Sequence, residues 1–68
     1  MPRKIRQLIS DLERANFVFR AGRGSHRKYK HPSGVSATIS GGLGDDAKDY
    51  QEKHVQLKIQ ESLNNEGK

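Results

Sequence analysis

A histidine and two lysines alternate along one short stretch of this sequence, and their spacing could support chemistry on a phosphodiester. His26, Lys28 and Lys30 are two positions apart, so on a β-strand all three would lie on one face. Imidazole takes and releases a proton near neutral pH, and ammonium groups stabilise the charge of a phosphorane. RNA supplies its own nucleophile, the 2′-hydroxyl, so a base and a few cations could be enough to cleave it. The pattern predicts His26 as that base.

The residues around this stretch could add phosphate-binding groups. In chain order, the predicted RNA-binding set is Arg23, Gly24, Ser25, Arg27, Lys28 and Lys30. Cationic side chains bind phosphate directly, and a serine hydroxyl or the N–H groups of a glycine-rich turn could assist. An exposed strand histidine among lysines is also common as a plain solvated side chain, so catalysis and a merely basic surface are both open from the pattern.

The other two histidines have different surroundings. His31 precedes a proline in a turn and is predicted to be structural, and His54 is predicted at the packing edge of a C-terminal helix. The three histidines match no recognised ligand spacing, and the chain has no cysteine. We therefore predict no metal site, no disulfide and no thiol chemistry.

The composition restricts the class of protein. The chain has 68 residues, of which 31% are hydrophobic and 31% charged, so we predict one domain over residues 1–68, with a core too small for a cofactor pocket. No apolar run approaches the ~18 residues of a membrane span, and no signal peptide is recognisable. These features and the lack of cysteine predict a cytoplasmic protein that uses no membrane and no small-molecule cofactor.

The charge is spread unevenly along the chain. Residues 1–31 hold nine Lys and Arg against two acidic residues, a net charge of +7. Residues 32–68 hold four against six, a net charge of −2, which gives the overall +5. A basic half of this kind is typical of proteins that bind nucleic acid.

Hydrophobic periodicity predicts the elements that position these residues. Ile5, Leu8, Ile9 and Leu12 have the spacing of one face of an amphipathic helix, which Asn16 could end in a left-handed conformation. Strands are predicted over residues 17–21, 26–31 and 35–40, with turns at 22–24 and 31–34. Because Tyr29 favours burial, its face of the second strand should meet the helices, and the face of His26 should stay open.

Residues 47–63 fit two kinds of element. The apolar residues in 55–59 alternate as in a strand, but the content of Gln, Glu, Lys and Leu favours a helix, which is our prediction. Such a helix has two apolar stripes, one to cover the sheet and one to meet a partner. The aspartates at 45–46 are predicted to cap it, and residues 63–68 are predicted to form a disordered tail. The predicted fold class is α+β, with a three-stranded antiparallel sheet between two helices in the chain.

Three short motifs follow one another along the chain. Ala15-Asn16-Phe17 ends the first helix, Gly24-Ser25-His26 precedes alternating residues, and His31-Pro32 follows them. Together with Thr38-Ile39-Ser40, which fits a third strand, these motifs resemble the HicA family of toxin–antitoxin toxins. The likeness covers most of the chain.

The resemblance implies both a fold and an activity. The fold would be similar to double-stranded-RNA-binding domains (α-β-β-β-α), with both helices on one face of the sheet. The activity would be that of an mRNA interferase, an endoribonuclease that cleaves single-stranded mRNA until a HicB-like antitoxin neutralises it. The family's functional histidine corresponds to His26.

Two departures from the family pattern stand out. Asn16 replaces the usual glycine, which a left-handed position tolerates. Ser40-Gly41-Gly42 stands where many relatives carry a further histidine, so the acid that protonates the leaving oxygen is not identified. His31, a lysine or water could serve. Two other functions stay open: a non-catalytic RNA-binding module, and an interaction domain for an acidic protein partner.

Overall fold

The protein consists of two helices and three strands, as seen in a computed structural model that describes residues 3–66. In chain order the elements are α1 (Ile5–Arg14), β1 (Val18–Arg23), β2 (His26–Lys30), β3 (Ser36–Ile39) and α2 (Asp49–Glu66). The strands form one antiparallel sheet in the order β1-β2-β3. This architecture confirms the predicted α+β fold with the order α-β-β-β-α. Neither helix is long and apolar enough to cross a membrane within the described range.

The end of α1 sets the start of the sheet. Asn16 has a φ of 73°, the left-handed conformation predicted for it. The N–H of Phe17 donates to the carbonyl of Leu12 at 2.9 Å, which closes the helix end. Because the amide of Phe17 is used there, β1 begins at Val18, one residue later than predicted.

The β1–β2 hairpin has a shorter turn than the predicted one. β1 continues to Arg23, which pairs with His26, so Gly24 and Ser25 alone connect the strands. Gly24 has a φ of 61°, and a two-residue turn of type II′ needs such a conformation at its first central position. The prediction of a turn at 22–24 was therefore wrong by one to two residues.

The core lies between the sheet and both helices. The apolar stripe of α1, predicted from its periodicity, is buried throughout. Tyr29 from β2 and Ile39 from β3 are buried against this stripe, and Val55 of α2 joins the same cluster. The predicted burial of the Tyr29 face is confirmed, and both helices cover that face. The opposite face of the sheet, which carries His26, stays open.

Helix α2 confirms the helical prediction for the C-terminal segment. Its buried side is formed by Gln51, Val55 and Ser62, while Tyr50 and Leu57 are exposed. The helix continues to Glu66, so residues 63–66, predicted within a disordered tail, are helical. No glycine or proline interrupts this segment, so it continues the packed turns that precede it in α2. The rest of the predicted tail, 67–68, lies outside the described residues.

The predicted cap of α2 by the two aspartates was wrong. The side chain of Gln51 accepts the N–H of Lys48 at 2.8 Å, at the first turn of the helix. Asp45 instead accepts the N–H of Gly42 at 2.8 Å, and Asp46 pairs with Lys4. The aspartates therefore hold the preceding loop against the start of α1, too far along the chain from α2 to cap it.

Candidate active site

The open face of the sheet carries the predicted catalytic histidine with several cations. His26, Lys28 and Lys30 alternate with the buried side of β2 and are all exposed. Arg23 pairs with His26 across the hairpin, and directly paired residues of antiparallel strands share a face. None of these four side chains forms an ion pair with another described residue. The face therefore offers uncompensated positive charge around one imidazole.

His26 lines a cleft of about 510 Å³ on this face. The other lining residues are Ala21, Gly22, Arg23, Arg27, Lys28 and Thr38. This volume lies within the range of small-ligand sites, about 300–1,000 Å³. Thr38 pairs with Lys28 and was missing from the predicted set. Its polar face was readable from the alternation in the third strand, but its position beside Lys28 depends on strand register.

The turn before His26 fixes the position of that residue. Gly24 provides the positive φ, and the carbonyl of Ser25 accepts the N–H of Gly41 at 3.2 Å. The turn is thus tied to residues 41–44, the glycine loop that follows β3. Gly24 and Ser25, both predicted to contact RNA, are exposed. In the sequence they connect Arg23 and His26, which both line the cleft.

We expect Gly24→Ala to lower the free energy of unfolding by about 1–2 kcal/mol, because a side chain disfavours the positive φ. Gly44→Ala is the matched control. No atom lies within 4 Å of an added Cβ at either glycine, but only Gly24 has a positive φ. Urea unfolding followed by circular dichroism should show a change within about 0.5 kcal/mol for Gly44→Ala. Equal effects of the two substitutions would contradict the turn assignment.

Arg27 lines the same cleft as His26, but its side chain is engaged differently from those of the other predicted phosphate-binding cations. It pairs with the buried Ile39 and is half-buried on the helix side of β2. Its Nη1 donates to the carbonyl of Gly41 at 3.0 Å. The guanidinium therefore holds the glycine loop against β2, whereas Arg23, Lys28 and Lys30 stand together on the open face.

His31 has the structural position that was predicted for it. It is 2% exposed, and its ring lies 5.2 Å from the ring of Phe17. The backbone N–H of Ser33 donates to its Nδ1 at 3.0 Å. Because this imidazole is buried on the face opposite to His26, it is not placed to donate a proton to a substrate on the open face.

His54 lies where α2 meets the edge of β3, as predicted. Its Nε2 accepts the backbone N–H of Thr38 at 3.3 Å. The imidazole thus provides a hydrogen-bond partner for a backbone N–H on the outer edge of β3, where the described sheet has no further strand. Partial burial, and next the positive charge of Lys58, hold the pKa of His54 below its ordinary value, while Glu61 opposes this. Both causes favour the neutral imidazole, which is the form that can accept this hydrogen bond.

The lowered pKa of His54 predicts a loss of stability in mild acid. As the pH falls below about 6.5, the unfolded chain binds a proton that the folded protein resists, so folding becomes less favourable. We expect the melting temperature of the wild type to fall between about pH 7 and about pH 5, and that of His54→Gln to fall less. Glutamine keeps an acceptor for Thr38 but does not titrate. If the melting temperatures of the wild type and His54→Gln fell by the same amount over this pH range, this role of His54 would be contradicted.

Histidine, aspartate and glutamate side chains are the potential metal ligands of this cysteine-free chain. Across residues 3–64, no three His, Asp or Glu side chains are grouped as a metal ion would need. Metal independence of the chemistry stays a prediction, which a chelator tests.

Comparison with known proteins identifies the family. A family model described as the HicA toxin of bacterial toxin–antitoxin matches residues 5–61. The match spans α1, the whole sheet with His26, and most of α2. The comparison with curated proteins gives no match. Because the matching model covers most of the chain, the protein belongs to the HicA toxin family and is the toxin component of a toxin–antitoxin system.

Proposed function

We propose that this toxin is an endoribonuclease that cleaves single-stranded mRNA at the open face of its sheet, with His26 as the catalytic base. The observation that carries the proposal is the exposed imidazole of His26 among cations that have no acidic partner in the described part of the chain. Such a face attracts a polyanion and presents it to a group that exchanges protons near neutral pH.

The proposed reaction uses the nucleophile that RNA itself carries. His26 takes the proton of the 2′-hydroxyl, and this oxygen attacks the adjacent phosphorus. The bond from phosphorus to the 5′-oxygen of the next nucleotide breaks, and that oxygen receives a proton. The products are a 2′,3′-cyclic phosphate and a 5′-hydroxyl, so no water enters this step. DNA lacks the nucleophile and should not be cleaved.

The cations would stabilise the phosphorane rather than form bonds with it. Lys28 follows His26 on the same face, and Arg23 stands across the hairpin from it, so both can approach a phosphate held at the imidazole. Their charge is already in place when the phosphorane forms, which is the condition for effective electrostatic catalysis. Lys30 lies further along the strand and would contact the neighbouring backbone.

The proton for the leaving oxygen has three candidate sources. His26 itself holds a proton after the first step and could return it, and Lys28 or water could also supply one. His31 is excluded from this role by its burial on the other side of the sheet. Ser40 directly follows β3, and because Ile39 pairs with Arg27, it is the next residue in the direction of His26. A serine there does not provide an acid of suitable strength.

The antitoxin would neutralise the toxin by covering the same face. A HicB-like protein with an acidic surface complements the cations around His26 and would exclude RNA from the cleft. Such an interaction weakens as salt rises, because exposed charges are screened.

Purified protein should cleave a single-stranded RNA in EDTA and leave the same sequence of DNA intact. Products with 2′,3′-cyclic phosphate ends would support the proposed reaction. RNA binding that depends on salt, without any cleavage, would instead identify a non-catalytic RNA-binding module. Cleavage that EDTA abolishes would contradict the metal-free mechanism.

A further inference from the structure

A second cleft lies on the same hairpin, beyond the one that contains His26. Its volume is about 420 Å³, and its lining residues are Val18, Arg20, Lys30, His31 and Pro32. It shares no residue with the first cleft, but the two adjoin along β2, where Lys28 lines one and Lys30 the other. Residues two apart on a strand are about 7 Å apart, so a chain bound at His26 and running along β2 would reach the second cleft.

A β-bulge supplies one of the cations in this cleft. Phe19 pairs with Tyr29 and Ala21 pairs with Lys28, so Arg20 is an extra residue without a partner in β2. Bulges redirect side chains away from the regular alternation. Arg20 is exposed, and neither it nor Lys30 pairs with an acidic side chain among residues 3–64. Two uncompensated cations therefore converge on one cleft.

Apolar surface lies beside these cations. Val18 pairs with Lys30, so it stands on the open face, where 55% of it is exposed. Pro32, another residue of the cleft lining, is also exposed. A nucleotide offers the complementary chemistry, since its phosphate binds cations and the flat face of its base packs against apolar groups.

We propose that this cleft is a second nucleotide subsite, which holds a single-stranded RNA nucleotide next to the linkage cleaved at His26. Arg20 and Lys30 contact its phosphate, while Val18 and Pro32 contact its base or ribose. The inference rests on the proposed ribonuclease activity and extends it: RNA longer than the two nucleotides that flank the cleaved bond binds better and is cleaved more efficiently than a dinucleotide.

The test compares two substrates with the same cleaved linkage, a dinucleotide and a longer single-stranded oligonucleotide. Arg20→Gln should lower kcat/KM on the oligonucleotide roughly tenfold, the effect of losing one charge-assisted contact. It should leave the dinucleotide unaffected. Arg14→Gln, which removes the same charge from the exposed side of α1, is the matched control and should change neither value. Val18→Ser should lower kcat/KM on the oligonucleotide alone.

Several results would overturn the subsite. Arg20→Gln could behave like Arg14→Gln, or it could slow both substrates equally, which would place Arg20 at the first cleft or in the fold. It could also weaken neutralisation by the antitoxin with no change for RNA, which would make the cleft a protein contact.

The subsite can be tested even if the wild type cleaves neither substrate, a result that would reject the proposed function. Binding of the oligonucleotide would then be measured by fluorescence anisotropy. Arg20→Gln should weaken it and reduce the slope of log affinity against log salt by about one. If Arg20→Gln showed the same affinity and the same salt slope as Arg14→Gln, the subsite would be overturned, whatever the fate of the proposed ribonuclease activity.

Discussion

Replacing His26 by alanine is expected to lower the rate of RNA cleavage by about 10²–10⁴-fold, the usual contribution of a positioned general base. The reason is the location of the imidazole, in the cleft on the open face and next to Arg23 and Lys28. The side chain is exposed and makes no hydrogen bond to another described residue, so its removal should leave the fold intact. Initial rates on a labelled RNA measure the loss of cleavage, and melting temperatures measured in parallel show whether the fold is intact.

His54→Gln is the control for the His26 substitution. It also removes an imidazole, but one that lies at the junction of α2 and β3 and accepts the N–H of Thr38. At neutral pH this variant should cleave RNA at a rate within a few-fold of wild type. Retained activity in His26→Ala, or equal losses in both variants, would remove His26 from the mechanism.

Leu12→Ala should be among the most damaging substitutions for stability. Leu12 is 0% exposed within the apolar stripe of α1, and truncation of a fully buried leucine costs about 2–5 kcal/mol. A domain of this size has roughly 3–10 kcal/mol of stability in total, from about 0.05–0.15 kcal/mol per residue. The variant should therefore lose a large part of its free energy of unfolding. The open face of the sheet would then be correctly formed in a smaller fraction of the molecules.

Leu57→Ala controls for the loss of leucine itself. Leu57 is 56% exposed on α2, so the same truncation there should change the free energy of unfolding by no more than about 0.5 kcal/mol. Urea denaturation of both variants measures the contrast. Similar midpoints for Leu12→Ala and Leu57→Ala would contradict the packing of α1 against the sheet.

Local patterns were sufficient to predict most elements and the open face. The apolar spacing in α1 and the alternation around Tyr29 depend only on neighbours in the sequence, and burial follows from them directly. The left-handed Asn16 was predictable for the same reason. Helix α2 could be predicted in preference to a strand because the Gln, Glu, Lys and Leu content of residues 47–63 favours a helix.

Features that depend on contacts between distant segments were not predictable. The bulge at Arg20 and the pairing of Thr38 with Lys28 are set by strand register, which the period of two leaves undetermined. The aspartates at 45–46 have the composition of a helix cap, yet the docking of their loop on α1 uses them differently. The guanidinium of Arg27 is likewise directed by a carbonyl fourteen positions away in the chain, that of Gly41.

The central claim is that the substrate supplies the nucleophile and the open face supplies a base and cations. An RNA oligonucleotide with a single 2′-deoxy nucleotide on the 5′ side of the cleaved linkage tests it most directly, against the all-ribose oligonucleotide. Wild-type protein in EDTA should cleave the all-ribose strand at that linkage to a 2′,3′-cyclic phosphate and should leave the substituted linkage intact. Cleavage of the substituted linkage at a comparable rate would contradict the account.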